Sequence, residues 1–106
     1  TGYHLARELI EQGRITAMFV ANNVMTMGAL HYLQEHQIRI PEDIALIGFD
    51  DYEWARITRP ALTMVKQPSY ELGEEAAKQL LKRIREPEGE PVEIYLPTSL
   101  TIRASC

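Results

Sequence analysis

Two uninterrupted apolar runs, ITAMFVA at 15–21 and IALIGF at 44–49, stand out from segments in which apolar residues recur every three or four positions. A continuous aliphatic run suits a strand covered on both faces, as in a parallel sheet. The periodic segments have the spacing of helices that bury one face. Tyr3, Leu5, Ala6, Leu9 and Ile10 predict a helix over 2–12, stopped by Gly13. Val24, Met27, Leu30 and Leu33 predict a helix over 23–36 that begins at the capping side chains of Asn22 and Asn23. Leu72, Ala76, Leu80 and Ile84 mark a third helix, over 69–86, entered through Pro68. Shorter patterns predict strands at 61–67 (ALTMVKQ), 92–96 (VEIYL) and 99–103 (SLTIR), with Pro97 separating the last two.

Strands alternating with helices predict an α/β fold, a mainly parallel sheet of right-handed βαβ units with helices on both faces. In such sheets ligands gather beyond the C-terminal ends of the strands, where loops and helix N-termini collect. Two loops occupy that position: Asn22–Asn23 after the first apolar run and Asp50–Asp51 after the second.

Composition narrows the function classes. A chain of 106 residues with 45% hydrophobic and 25% charged residues has the proportions of one ordinary globular core. Its net charge of −4 argues against direct contact with a phosphate backbone by this segment. The single cysteine, Cys106, forms neither an internal disulfide nor a multi-cysteine metal site, which fits a reducing compartment and makes the cytoplasm the expected location. No apolar run approaches the roughly 18–20 residues that span a bilayer, so no membrane partner is expected. His4, His31 and His36 are spaced 27 and 5 positions apart and match no metal-ligand motif, so surface or packing roles are expected and no cofactor. Met25 is expected in the core, and Met27 either in the core or at a subunit contact.

The adjacent carboxylates Asp50 and Asp51 admit three readings. Acid/base catalysis, Mg²⁺ binding and phosphoryl transfer each need companions; a phosphoryl-transfer or metal site would want further carboxylates and a Lys, Ser or Thr on the same loops, and the neighbouring loop offers two neutral amides instead. Adjacent residues of an extended chain also point to opposite sides, which separates the tasks of the two aspartates. A carboxylate beside an asparagine amide supplies acceptors and donors for paired hydroxyls, the surface of a sugar, and Tyr52 and Trp54 lie within sequence reach as aromatic faces for it. The plain alternative is that Asp50 or Asp51 caps a turn and Trp54 belongs to the core or an interface.

Four motifs, AMFVANNVMTMGAL, IPEDIALIGFDD, RPALTMVKQPSYELGEEAAKQLL and LPTSLTIRASC, occur in this order. Together they closely resemble the C-terminal half of the effector-binding region of the lactose-repressor (LacI/GalR) family of bacterial transcription regulators, over essentially the whole chain. The resemblance implies a two-lobed fold like that of periplasmic sugar-binding proteins, with a sugar or sugar derivative held in the cleft as effector. It implies that about 1–66 belong to the C-terminal lobe, about 67–97 cross to the N-terminal lobe and about 98–106 return. The helix-turn-helix that binds operator DNA and most of the N-terminal lobe would lie outside this chain. Carried over by position, Asn22 and Asp50 look like the residues that hydrogen-bond effector hydroxyls, and Gln67 lies at the lobe crossing, where some members also touch effector. Met27, Leu30, His31 and Ile57 resemble the contacts of a homodimer or higher homo-oligomer. Asn23 departs from the usual Asp of the family's A-N-D motif, which removes a carboxylate from the helix N-terminus. A transport-associated sugar-binding protein is the alternative on the same fold, and an enzyme would need catalytic groups that these loops do not display.

Overall fold

Both long apolar runs form strands. β1 (Ala17–Val20) and β2 (Ala45–Phe49) pair in parallel, Ala17 opposite Ala45 and Val20 opposite Gly48. β3 (Thr63–Lys66) pairs in parallel with β2, and β4 (Ser99–Thr101) runs antiparallel to β3, giving the order β1-β2-β3-β4. The computed structural model describes every residue from Thr1 to Cys106. The residues cluster into two units: Thr1–Lys66 with Ser99–Cys106, and Gln67–Thr98.

In the first unit α1 (Gly2–Glu11) and α2 (Asn23–Glu35) pack together over the sheet. Gly13, with φ 69°, ends the α1 segment in the left-handed conformation that glycine adopts without steric cost. The core joins Met18, Val20, Leu46 and Met64 of the strands to Ala6, Ala29, Tyr32 and Leu33 of the helices. Two glycines set how closely these helices approach. A Cβ on Gly28 would lie 2.7 Å from the Tyr3 amide nitrogen, and one on Gly2 would collide with the Met25 carbonyl. Gly48 does the same between helix and sheet, since a Cβ there would meet Met64 Sδ at 2.6 Å and Thr26 Oγ1 at 3.2 Å. The cover expected on both faces of the first apolar run is not seen: burial alternates along β1, and Phe19 points away from this core and is 60% exposed.

The second unit is built on α4 (Ser69–Arg85), acidic at its start and basic at its end, as the helix dipole favours. Pro68 stands at the N-cap position. The strand expected at 92–96 is not formed: Pro91 and Pro97 bracket VEIYL and no strand of the sheet supplies it with a ladder. A four-residue helix, α3 (Trp54–Ile57), follows the Asp50–Asp51 loop where no helix was expected. It is too short to show a period, and Ala55, its buried residue, joins the core.

Candidate functional site

The register of β1 on β2 brings the two polar loops level. Val20 faces Gly48 at the last pair, and Asn22 and Asp50 each stand two residues further on, at the C-terminal end of neighbouring parallel strands. Neighbouring strands in such a ladder lie about 4.8 Å apart.

Asn22 is extended, with φ −161° and ψ 167°, and is the N-cap of α2. Its Oδ1 accepts from the Met25 amide at 2.9 Å, and Thr26 Oγ1 donates to its carbonyl at 2.7 Å. Because a backbone N–H can only donate, the atom facing it must be the amide oxygen, and the outward chemistry of Asn22 is therefore the NH₂ group, a pair of donors. Asn22, and not Asn23, makes the cap. Asn23 Oδ1 is buried beside it without a donor.

Asp50 carries φ 73°, a left-handed conformation that Asp tolerates better than most side chains. Its N–H donates to the Val65 carbonyl at 2.9 Å, extending the β2–β3 ladder by one bond, and its carbonyl accepts from Tyr52 N–H at 3.0 Å. The chain therefore turns sharply at Asp50 and is held there by backbone bonds on both sides.

Asp51 has a different task. Its carboxylate takes a two-pronged contact from Arg103, at 2.8 and 2.7 Å, with the two side chains 3% and 13% exposed. Hydrogen bonding to the Arg103 guanidinium holds the Asp51 carboxyl below the usual carboxylate range, against the opposing effect of burial. Arg103 also donates to the Leu62 carbonyl at 2.7 Å, and its own N–H donates to Thr63 Oγ1 at 2.9 Å. Two residues on, Ser105 Oγ accepts from Thr63 N–H at 2.8 Å and donates to the Leu46 carbonyl at 2.5 Å. The chain's last residues thus stitch β2 to β3, and Asp51 is bound into that seam. Nothing in the sequence pairs Asp51 with Arg103, because 52 positions separate them and neither belongs to a recognisable motif.

The remaining candidates fall into place individually. Tyr52 is exposed, whereas Trp54 is half-buried and packs against the core. Gln67 follows β3 directly, is the first residue of the second unit, and accepts from Ser69 N–H. On α2, Met25 packs on the core as expected, Met27 is 58% exposed and Leu30 is half-buried. Ile57 on α3 is 78% exposed. His31 and His4 meet the ring of Tyr3 edge-on, and His36 stacks on Tyr32, whose carbonyl accepts from Nδ1 at 2.9 Å in the tautomer protonated there. Nowhere do three His, Cys, Asp or Glu side chains gather in a metal-binding group. No helix is long and apolar enough to cross a membrane.

The family model described as a periplasmic binding protein-like domain matches residues 2–106. The chain belongs to this family, in its LacI branch. It is 39% identical over 98 residues to the HTH-type transcriptional repressor PurR of Salmonella arizonae, which covers 90% of this chain and 29% of the repressor. Among solved structures, the transcriptional regulator CelR in complex with cellobiose is 37% identical with a TM-score of 0.89, over 99% of this chain and 32% of that one. A LacI family transcriptional regulator from Enterococcus faecium with bound ribose is 38% identical with a TM-score of 0.82, over 98% of this chain and 38% of that one. The chain therefore spans less than a third of the length of the curated relatives it matches.

Proposed function

We propose that the chain is the C-terminal part of the effector-sensing and dimerisation domain of a cytoplasmic LacI-family transcriptional regulator. Its effector is a small sugar or sugar derivative, held without being chemically transformed. Asn22 donates through its amide and Asp50 accepts through its carboxylate, which together suit vicinal hydroxyls. Tyr52 supplies an exposed ring, Trp54 borders the same loop, and Gln67 adds a polar group where the chain leaves β3.

The observation that carries this is the β1–β2 register, which sets Asn22 and Asp50 at equivalent positions past adjacent strand ends. Bound cellobiose and ribose in two similar regulators support the ligand class. Residues 67–97 are proposed as the crossing to an N-terminal lobe. Met27, Leu30, His31 and Ile57 are proposed as homodimer contacts; Met27 and Ile57 are large apolar side chains left exposed on α2 and α3. Effector that binds one lobe arrangement better than another shifts the population, and operator affinity, exerted through a helix-turn-helix segment, follows by the same difference in free energy.

Titration calorimetry on the intact regulator with a panel including D-ribose and cellobiose tests the site. Asp50→Ala is expected to weaken sugar binding by about 1.5–3 kcal/mol, the range for a hydrogen bond to a charged group. Unchanged affinity removes Asp50 from the site.

A further inference from the structure

The Asp51–Arg103 pair is the most fully desolvated charge contact in the chain and takes no part in the proposed sugar contacts. Three observations tie it to them. Asp51 is covalently next to Asp50, so its two-pronged anchoring at 2.8 and 2.7 Å fixes the chain just past the ligand-facing carboxylate. Asp50 is held at φ 73°, and a non-glycine residue keeps a left-handed conformation when its surroundings fix it from several directions. The Val65 carbonyl and Tyr52 N–H do so through the backbone, and Arg103 does so through Asp51. Finally, the far end of the clamp is itself immobile: Arg103 is bonded to Leu62 and Thr63, and its segment is sewn to Leu46 through Ser105.

Stability alone is a poor reason for such a pair, since a buried ion pair contributes little beyond what apolar residues of the same volume would. What the guanidinium supplies is direction, because its planar fork fixes both the position and the rotation of the carboxylate it holds.

We propose that Arg103 is a positioning residue for effector binding: through Asp51 it fixes residues 50–53 and so presents the Asp50 carboxylate to the effector's hydroxyls. The proposal rests on the effector role of Asp50 but reaches a residue of the return segment, 53 positions away, that touches no ligand. Lysine at 103 keeps the charge and loses the fork, so it restores the clamp only in part.

The test compares wild type with Arg103→Ala, Arg103→Lys, Asp51→Asn and Asp50→Ala in the intact protein, at a temperature where each retains the wild-type far-ultraviolet circular dichroism. Hydrogen exchange read by mass spectrometry over 49–56 reports the loop without any sugar, with 17–20 of β1 as the internal control. Calorimetry with D-ribose, or cellobiose where ribose does not bind, reports the site. Arg103→Ala and Asp51→Asn are each expected to speed exchange over 49–56 and not over 17–20. They are expected to weaken sugar binding roughly ten- to a hundredfold, by analogy with the range for partners that orient metal-ligating side chains. Arg103→Lys should fall between, and the Arg103→Ala/Asp51→Asn double variant should be no worse than either single one. Unchanged exchange over 49–56, or faster exchange with unchanged sugar affinity while Asp50→Ala loses it, overturns the positioning role. Faster exchange in Arg103→Ala together with unchanged affinity in Asp50→Ala keeps the clamp and sinks the effector role of Asp50 instead.

Discussion

At the scale of single residues, Asn22 combines two tasks that substitution can separate. Its Oδ1 caps α2, and its amide donors are proposed to serve the effector. Serine retains a capping oxygen and has no amide, whereas alanine has neither. Asn22→Ala is expected to lower stability by about 1 kcal/mol in urea unfolding, and Asn22→Ser by a few tenths at most. Both should lose sugar affinity in calorimetry. Asn22→Ser with normal affinity would leave Asn22 as a cap alone. Asp51 offers a pH signature of the same kind. Arg103 depresses its folded-state pKa below the unfolded value, so the pair's contribution is complete above the ordinary carboxylate range and is lost as pH falls through the depressed value. The gap in urea midpoint between wild type and Asp51→Asn should accordingly be wide at pH 7 and narrow as pH falls below the ordinary carboxylate range. A gap that does not narrow as pH falls would assign the effect to packing. Asp43, lowered to about 2 by hydrogen bonds from Arg39, belongs to an exposed pair and should show no comparable gap.

At the scale of elements, the close crossing of α1 and α2 depends on what is missing from two positions. Alanine at 28 would gain roughly 1 kcal/mol of helix propensity. It would also drive a methyl group to 2.7 Å from the Tyr3 backbone nitrogen, and overpacking of that kind costs about 1–3 kcal/mol. The second effect wins because the obstacle is backbone, which cannot rotate away. Gly28→Ala is thus expected to destabilise in urea, and a stabilised variant would show that the helices can part without loss. The longer elements were legible in the sequence because apolar residues leave a pattern: IALIGF and ITAMFVA gave β2 and β1, although only alternate residues of each are buried and not both faces as expected, and a three-residue spacing gave α2. What the pattern could not carry was pairing. VEIYL alternates like a strand, but alternation says nothing about whether a neighbour is present to complete the ladder. α3 is a single turn and falls below the length at which a period exists. At the candidate site, extended-chain geometry predicted that Asp51 would face away from Asp50; the chain at Asp50 is left-handed and not extended, and it is the Arg103 partner that sets Asp51 apart. Arg103 and Ser105 were invisible because their partners are tens of positions away.

At the scale of the whole molecule, exposed apolar side chains on α2 and α3 define the expected contact with a second copy. Met27→Lys should shift the intact protein from dimer towards monomer in sedimentation at micromolar concentration. An unchanged dimer would move the interface elsewhere. Effector sensing by this chain, as proposed, depends on two polar loops, brought level by one strand register, closing on the same small molecule. A co-crystal structure of the intact protein with the tightest-binding sugar of the panel measures this directly. The Asn22 amide and the Asp50 carboxylate are both expected within hydrogen-bond distance, about 2.7–3.2 Å, of hydroxyls on that sugar. A sugar seated away from both side chains, with Asn22 still serving α2 and Asp50 turned elsewhere, would contradict it.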